Sequence, residues 1–229
     1  MLKLIHPFIF KLIVIISLIF ILAVCSDGES EETVDHSMLL NGVPQQIELG
    51  SSVFSDGGYL HGAHTCYGLD RSPPLFWGEV PENTQSLALI VNEPNAEEQS
   101  DRVNWVMYDL PPEVREIPGV ISIMEENVLG GKQGRNHSGG MGWAGPCPNP
   151  GIDHEGTYVF HIYALDNLLD IQIEGGARRN DVLRAMSGHV IDYGKLTAKF
   201  CKSDGAAKGG WDESGGRGSC PALDEQPED

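Results

Sequence analysis

Residues 134–151 constrain this chain more than any other segment. They hold six glycines and three prolines. Glycine weakens helices and strands, and proline removes a backbone donor, so the run excludes a helix or a central strand. It has to be an irregular loop, and a loop this long in a compact domain is either functional or disordered. Trp143 and Cys147 inside it argue for order, because disordered segments are poor in such residues. Glycine lets backbone amides approach a small ligand closely, and successive amides form an anion-binding concavity. The composition predicts a small-ligand pocket walled by this loop. The competing reading is a structural loop packed around its own Trp143.

The formal net charge is −18 over 229 residues. A polyanion of this size repels nucleic-acid phosphates, so no nucleic-acid partner is expected. The acids concentrate at 29–35, 93–101 and 224–229, as solvated loops or tails do. They lack calcium-loop spacing, and no cysteine or histidine pair has zinc spacing. No metal and no cofactor are expected.

The N-terminus reads as a targeting segment. Lys3 and Lys11 flank or interrupt an apolar stretch, 12–24, broken only by Ser17; Cys25 and a polar run follow. A basic start, an apolar centre and an abrupt polar switch describe an export signal. Cys25 is the expected lipidation site of a lipoprotein. The alternative is an uncleaved signal anchor, at about 17 apolar residues short for a membrane span. Either way the folded part is expected outside the cytoplasm, membrane-tethered through the N-terminal segment or released as a periplasmic or extracellular protein. Cys66, Cys147, Cys201 and Cys220 remain, with three possible pairings. Cys201 and Cys220 bracket a glycine-rich tail, which favours that pair. The expected organisation is a signal or anchor at 1–25, an acidic spacer at 26–44, one domain at 45–203 and a Gly-rich acidic tail at 204–229.

Within the domain, short strands alternate with turn residues. Strands are predicted at 46–49, 86–91, 103–110, 157–165 and 194–200, where β-branched, aromatic or alternating residues lie between Asn, Gly and Pro signals. One helix is predicted at 179–190, with Asn180 as N-cap and Val182, Leu183, Met186 and Val190 on one face. The fold class is mostly β: a two-sheet β-sandwich with one or two peripheral helices.

Several segments coincide in order. They are 65–77, which contains Asp70, Ser72, Pro73 and Trp77; 86–96; 105–111; Gly134-Arg135-Asn136; Gly145-Pro146-Cys147-Pro148; 158–166; and 186–190. This ordered set resembles the phosphatidylethanolamine-binding protein family, in its bacterial Raf-kinase-inhibitor-like subgroup, over residues 46–202. The resemblance implies a sandwich with a small anion-binding cavity near one end. That cavity would be lined by an Asp-Pro-Asp-Ala turn, a strand histidine, the Gly-Pro loop and a His-Arg-Tyr. Carried over here, the turn is Glu93-Pro94-Asn95-Ala96, the strand histidine is Asn104, and the His-Arg-Tyr is Gly156-Thr157-Tyr158. Two imidazoles are thus replaced, while Asp70, Gly145, Pro146 and Tyr158 are kept. His154 lies two residues before the position of the second one.

The expected ligand-binding residues are therefore Asp70, Glu93, Asn95, Asn104, Trp143, Gly145, Pro146, Tyr158 and His154, with Trp143 and Tyr158 as cavity walls. The leading reading is an exported module that binds a small anionic or polar ligand, such as a phospholipid headgroup. The alternative is a protein-interaction or inhibitor module whose cavity has decayed. A hydrolase comes third: there is no Gly-x-Ser-x-Gly elbow, and no catalytic residue is assigned.

Overall fold

A computed structural model describes residues 36–94, 102–147 and 154–202, with the backbone alone at 154, 155 and 202. The chain divides into two units, Met1–Thr33 and Val34–Asp229, and all described residues belong to the second. The segment 1–25 with Cys25, the spacer to residue 35, Asn95, Cys220 and the tail 204–229 lie outside the described residues. Among the described residues, no helix is long and apolar enough to cross a membrane.

The organising element is strand β4, Ser86–Glu93, in which all eight residues are buried. A strand covered on both faces reads as a continuous apolar run rather than an alternation. It pairs antiparallel with β5, Arg102–Leu110, on one side and with β9, His154–Leu165, on the other. Around this centre lie β1 (Leu49–Gly50), β2 (Gly58–Tyr59), β3 (Leu75–Trp77), β6 (Glu116–Ile117), β7 (Asn127–Val128), β8 (Gly131–Gln133) and β10 (Val190–Lys202). They form a seven-stranded sheet, β2-β10-β9-β4-β5-β8-β7, and a three-stranded sheet, β1-β3-β6.

Alternation along β9 sorts its side chains. Tyr158, Phe160, Ile162 and Ala164 join an apolar cluster that also contains Leu49, Leu75, Trp77 and Ile117 of the small sheet. Tyr163 and Leu165 face the other way, where Val182, Leu183 and Met186 of helix α2, Arg179–Met186, cover them. A four-residue helix, α1 (His36–Leu39), adds Leu39 to this second cluster.

Four of the five expected strands are present and run longer than predicted, while 46–49 shrinks to β1 because its amides serve other partners. Gln46 N–H donates to Asp192 Oδ1 (2.9 Å) and Ile47 N–H to the Tyr193 carbonyl (3.3 Å). Helix α2 stops at Met186, four residues early, and Val190 opens β10. Gly188 at φ +80° turns the chain out of the helix. The cap is Arg178 rather than Asn180: its N–H donates to Asp181 Oδ2 at 2.9 Å. The folded unit also begins before residue 45, since α1 and Pro44, whose carbonyl accepts from Tyr193 N–H (3.2 Å), pack onto it. His189 lies beyond the helix and contacts Asp166 at 2.8 Å.

A polar group sits beneath α1. His36 Nε2 lies 2.5 Å from the Tyr163 hydroxyl, and its ring is 4.7 Å from that of His161. His161 is 7% exposed and its Nδ1 has no hydrogen-bond partner. Burial, with His36, Lys195 and Arg179 adding to it, pushes its pKa down to about 3. The folded protein therefore refuses a proton that the unfolded chain accepts at about 6.5. Stability is full above pH 6.5 and falls as the pH drops from there towards 3. Denaturant unfolding at pH 7 and pH 4.5 should show a loss of about 2–3 kcal/mol from this group. That increment should disappear in His161→Gln.

Candidate functional site

The site grows from an insertion in β5. Val91 pairs with Trp105 and Asn92 with Val103, so one residue of β5, Asn104, has no counterpart on β4. Such a bulge re-aims side chains. Trp105 faces the inner cluster and Val103 the outer one, and Asn104, two residues from Arg102, joins Trp105 on the inner side. Glu93 pairs with Arg102, and Asn92 with Val159, so Glu93 stands level with Tyr158 on the same face. The bulge and the strand ends thus gather Glu93, Arg102, Asn104 and Tyr158.

Glu93 is 5% exposed and Tyr158 2%. The Tyr158 hydroxyl is hydrogen-bonded to the Glu93 side chain. Burial first, then the Glu93 charge and this bond, hold the phenol far above its usual pKa, so it stays protonated and donates to the carboxylate. Arg102 and Tyr67 also lie within electrostatic reach of Tyr158. The Tyr67 ring stacks on Phe200, with centroids 6.2 Å apart.

Against this face lies the Gly-Pro loop. Asn104 holds it twice: its Nδ2 donates to the Ala144 carbonyl (2.7 Å), and its own carbonyl accepts from Ala144 N–H (2.8 Å). Asn104 Oδ1 is buried and, among the described residues, has no partner. The next amide, Gly145 N–H, donates to Asp70 Oδ1 at 2.8 Å. Cys66 N–H donates to the Pro146 carbonyl at 3.2 Å, and Cys66 is bonded to Cys147. A side chain at Gly145 would put its Cβ 2.3 Å from the His64 carbonyl and 2.6 Å from Asp70 Oδ1. Glycine is required there because two backbones touch. His64 Nδ1 donates to the Arg71 carbonyl (2.8 Å), and burial lowers its pKa, so it is a neutral brace of the 65–71 turn.

Of the sequence-predicted residues, Glu93 and Tyr158 are bonded to each other, Asn104 is bonded to Ala144 next to Gly145 and Pro146, and Gly145 is bonded to the exposed Asp70. Asp70 accepts the Gly145 amide. Trp143 is 3% exposed, edge-on to Trp105 (5.9 Å) and stacked on Phe160 (6.3 Å), within the apolar cluster. A ring of its size gains most from full burial. His154 opens β9 opposite Lys202, but its side chain lies outside the described residues, as does all of Asn95. His137 is exposed, with Nδ1 on the Val103 carbonyl (3.0 Å). Cys66–Cys147 selects one of the three pairings; Cys201 is also disulfide-bonded. Sequence reasoning missed Arg102 and Tyr67. Arg102 carried a signal, since it lies two residues from Asn104 on a strand.

A sequence profile described as phosphatidylethanolamine-binding protein matches residues 50–201. A UPF0098 protein of Methanothermobacter thermautotrophicus is 40% identical over 161 residues, spanning 67% of this chain and 98% of the relative. A second, from Pyrococcus abyssi, is 36% identical over 165 residues, spanning 70% and 89%. Among solved structures, Escherichia coli YbcL matches with a TM-score of 0.61 at 26% identity, over 69% of this chain and 99% of its own. A phosphatidylethanolamine-binding protein homologue of Chlamydia trachomatis, CT736, gives 0.60 at 31% identity over the same shares.

Two outcomes follow from the loop contact. Replacing Cys66 and Cys147 together by serine releases a link across 81 residues of sequence. The expected loss is about 4–5 kcal/mol in the chain-entropy account, read as a lower denaturant midpoint. Gly145→Ala should cost roughly 1–3 kcal/mol, whereas Gly139→Ala, where no atom lies within 4 Å of an added Cβ, should lose only the smaller cost of its positive φ.

Proposed function

The chain belongs to the phosphatidylethanolamine-binding protein family, and from that footing we propose that it is a binding module rather than an enzyme. It holds a small polar or anionic group, of the size of a phospholipid headgroup, where the ends of β4, β5 and β9 meet the Gly-Pro loop. One observation carries this reading: a buried carboxylate, Glu93, a buried phenol, Tyr158, and a buried unpartnered amide oxygen, Asn104 Oδ1, share one sheet face beside a loop pinned by a disulfide. Buried polar atoms without partners are rare and mark places where a ligand or water completes the set. The polar groups are engaged with one another and with backbone, and none forms a nucleophile–base–orienter chain, which supports binding over catalysis. The apolar cluster common to both sheets supports reading the fold as a sandwich with the site at one end.

The domain works outside the cytoplasm, fastened through the N-terminal segment or released from it. The Cys66–Cys147 bond supports this placement, because structural disulfides persist in oxidising compartments.

Thermal unfolding of the full chain with phosphate, acetate or phosphoethanolamine tests the reading. A ligand at roughly ten times its Kd should raise Tm by about 3–6 °C. No shift with any of the three at millimolar concentration would count against an active pocket and favour the surface-interaction alternative.

A further inference from the structure

The turn that leads from α1 to the sheet carries a reactive pair. Asn41 is the one asparagine of the sequence that is followed by glycine. Val43 N–H donates to the Leu40 carbonyl at 3.1 Å, and Gly42, third of these four residues, has φ +79°. A type II turn requires a positive φ at that place, and glycine adopts it without strain. Asn41 and Gly42 are both exposed. No atom lies within 4 Å of a Cβ built on Gly42, so the space beside its main chain is open. Among the described residues, no group accepts from the Gly42 N–H and none bonds the Asn41 side chain.

Other pairs of this kind are held. Gly57, at φ +73°, follows Asp56. There the Asp56 carboxylate accepts from the Thr197 hydroxyl (2.6 Å) and N–H (2.8 Å), and Gly57 N–H donates to the Thr197 carbonyl (2.9 Å). Asn104 and Asn136 are buried, with Nδ2 on the Ala144 and Gly142 carbonyls. Asn127 is exposed, but it precedes Val128, whose branched, buried side chain crowds the amide between them.

We propose that Asn41–Gly42 is a site of covalent self-modification, where the main-chain nitrogen of Gly42 closes on the amide of Asn41. The nitrogen gives its proton to solvent and attacks Asn41 Cγ. The Cγ–Nδ2 bond breaks and ammonia leaves with a proton from water, so a cyclic imide joins the two residues. Water then opens the ring, with no oxidation or reduction. Attack at Cγ leaves aspartate at position 41 on an ordinary main chain. Attack at the main-chain carbonyl leaves isoaspartate, with the main chain running through Cβ and Cγ. Either product adds a negative charge to a chain already at −18. Isoaspartate also lengthens the turn by a methylene between α1 and Pro44, whose carbonyl accepts from Tyr193 N–H. The Val43–Leu40 bond loses its geometry, and the seat of α1, with Leu39 in the outer cluster and His36 on Tyr163, loosens.

Incubating the full chain at pH 7 and pH 9 tests this, read by peptide mapping for amide-to-acid conversion and by enzymatic methylation of isoaspartate. Asparagine is a chemically labile residue, and conversion at Asn41 should run about tenfold faster than at Asn127. It should also rise with pH, because closure needs the deprotonated nitrogen. Asn41→Ser should remove the isoaspartate signal with Tm unchanged. The converted fraction, separated by charge, should melt about 2–4 °C below the unconverted one, the effect of one lost hydrogen bond in a domain of this size. Conversion at Asn41 no faster than at Asn127 would overturn the proposal. A rate in the folded chain roughly tenfold or more below that of the urea-unfolded chain would overturn it too, since the turn would then shield the pair. Equal melting of the two fractions would overturn the loosening of α1.

Discussion

The main chain at Gly145 touches the main chain at His64, and the end of the molecule that carries the site depends on that contact. The two segments are remote in sequence, and the Gly-Pro loop has no helix or strand of its own with which to satisfy its backbone. The 65–71 turn supplies its partners instead. The Asp70 carboxylate takes the Gly145 amide, the Pro146 carbonyl takes the Cys66 amide, and the sulfur bridge fixes the separation. Only a residue without Cβ allows the approach. Farther along the loop, side chains do the work of a ladder. Gln133 accepts from the Trp105 indole and donates to the Ser122 and Glu125 carbonyls, and Asn136 Nδ2 donates to the Gly142 carbonyl. A segment whose composition forbids regular structure is thus ordered by borrowed hydrogen bonds.

The polar interior divides across the thickness of the large sheet. One face carries a carboxylate, a phenol and an amide at the strand ends; the other carries His36, His161, Tyr163 and Arg179 under α1 and α2. Strand β9 supplies both, because successive residues point to opposite faces. The imidazoles that the family resemblance would place at the site are absent from those two positions. On the far face His161 stays neutral and packed.

Much of the fold was legible because the relevant residues announce themselves locally. Residues 86–91 form an unbroken apolar run, and 157–165 are β-branched and aromatic, so both appear as central strands. The Gly-Pro loop was legible for the opposite reason, since nothing else tolerates its composition. What could not be read depended on insertions and distances. A bulge leaves no mark in a period-two pattern, so Asn104 looked like an ordinary strand position rather than the extra residue that clamps Ala144. The disulfide pairing is a property of the folded chain, as is the burial of Trp143, which a glycine-rich context suggested would line a cavity. Helix α2 ended early because Gly188 adopts a left-handed turn that apolar spacing does not encode.

The anchoring of α1 also sets a distance. His36 meets Tyr163, while the carboxylate–phenol pair lies at Tyr158, five positions back along β9 and on the reverse side of the sheet. At about 3.3 Å per residue, that is roughly 16 Å of strand plus the sheet itself. The contact that seats α1 and the carboxylate–phenol pair therefore share no side chain, and they belong to opposite faces of one sheet.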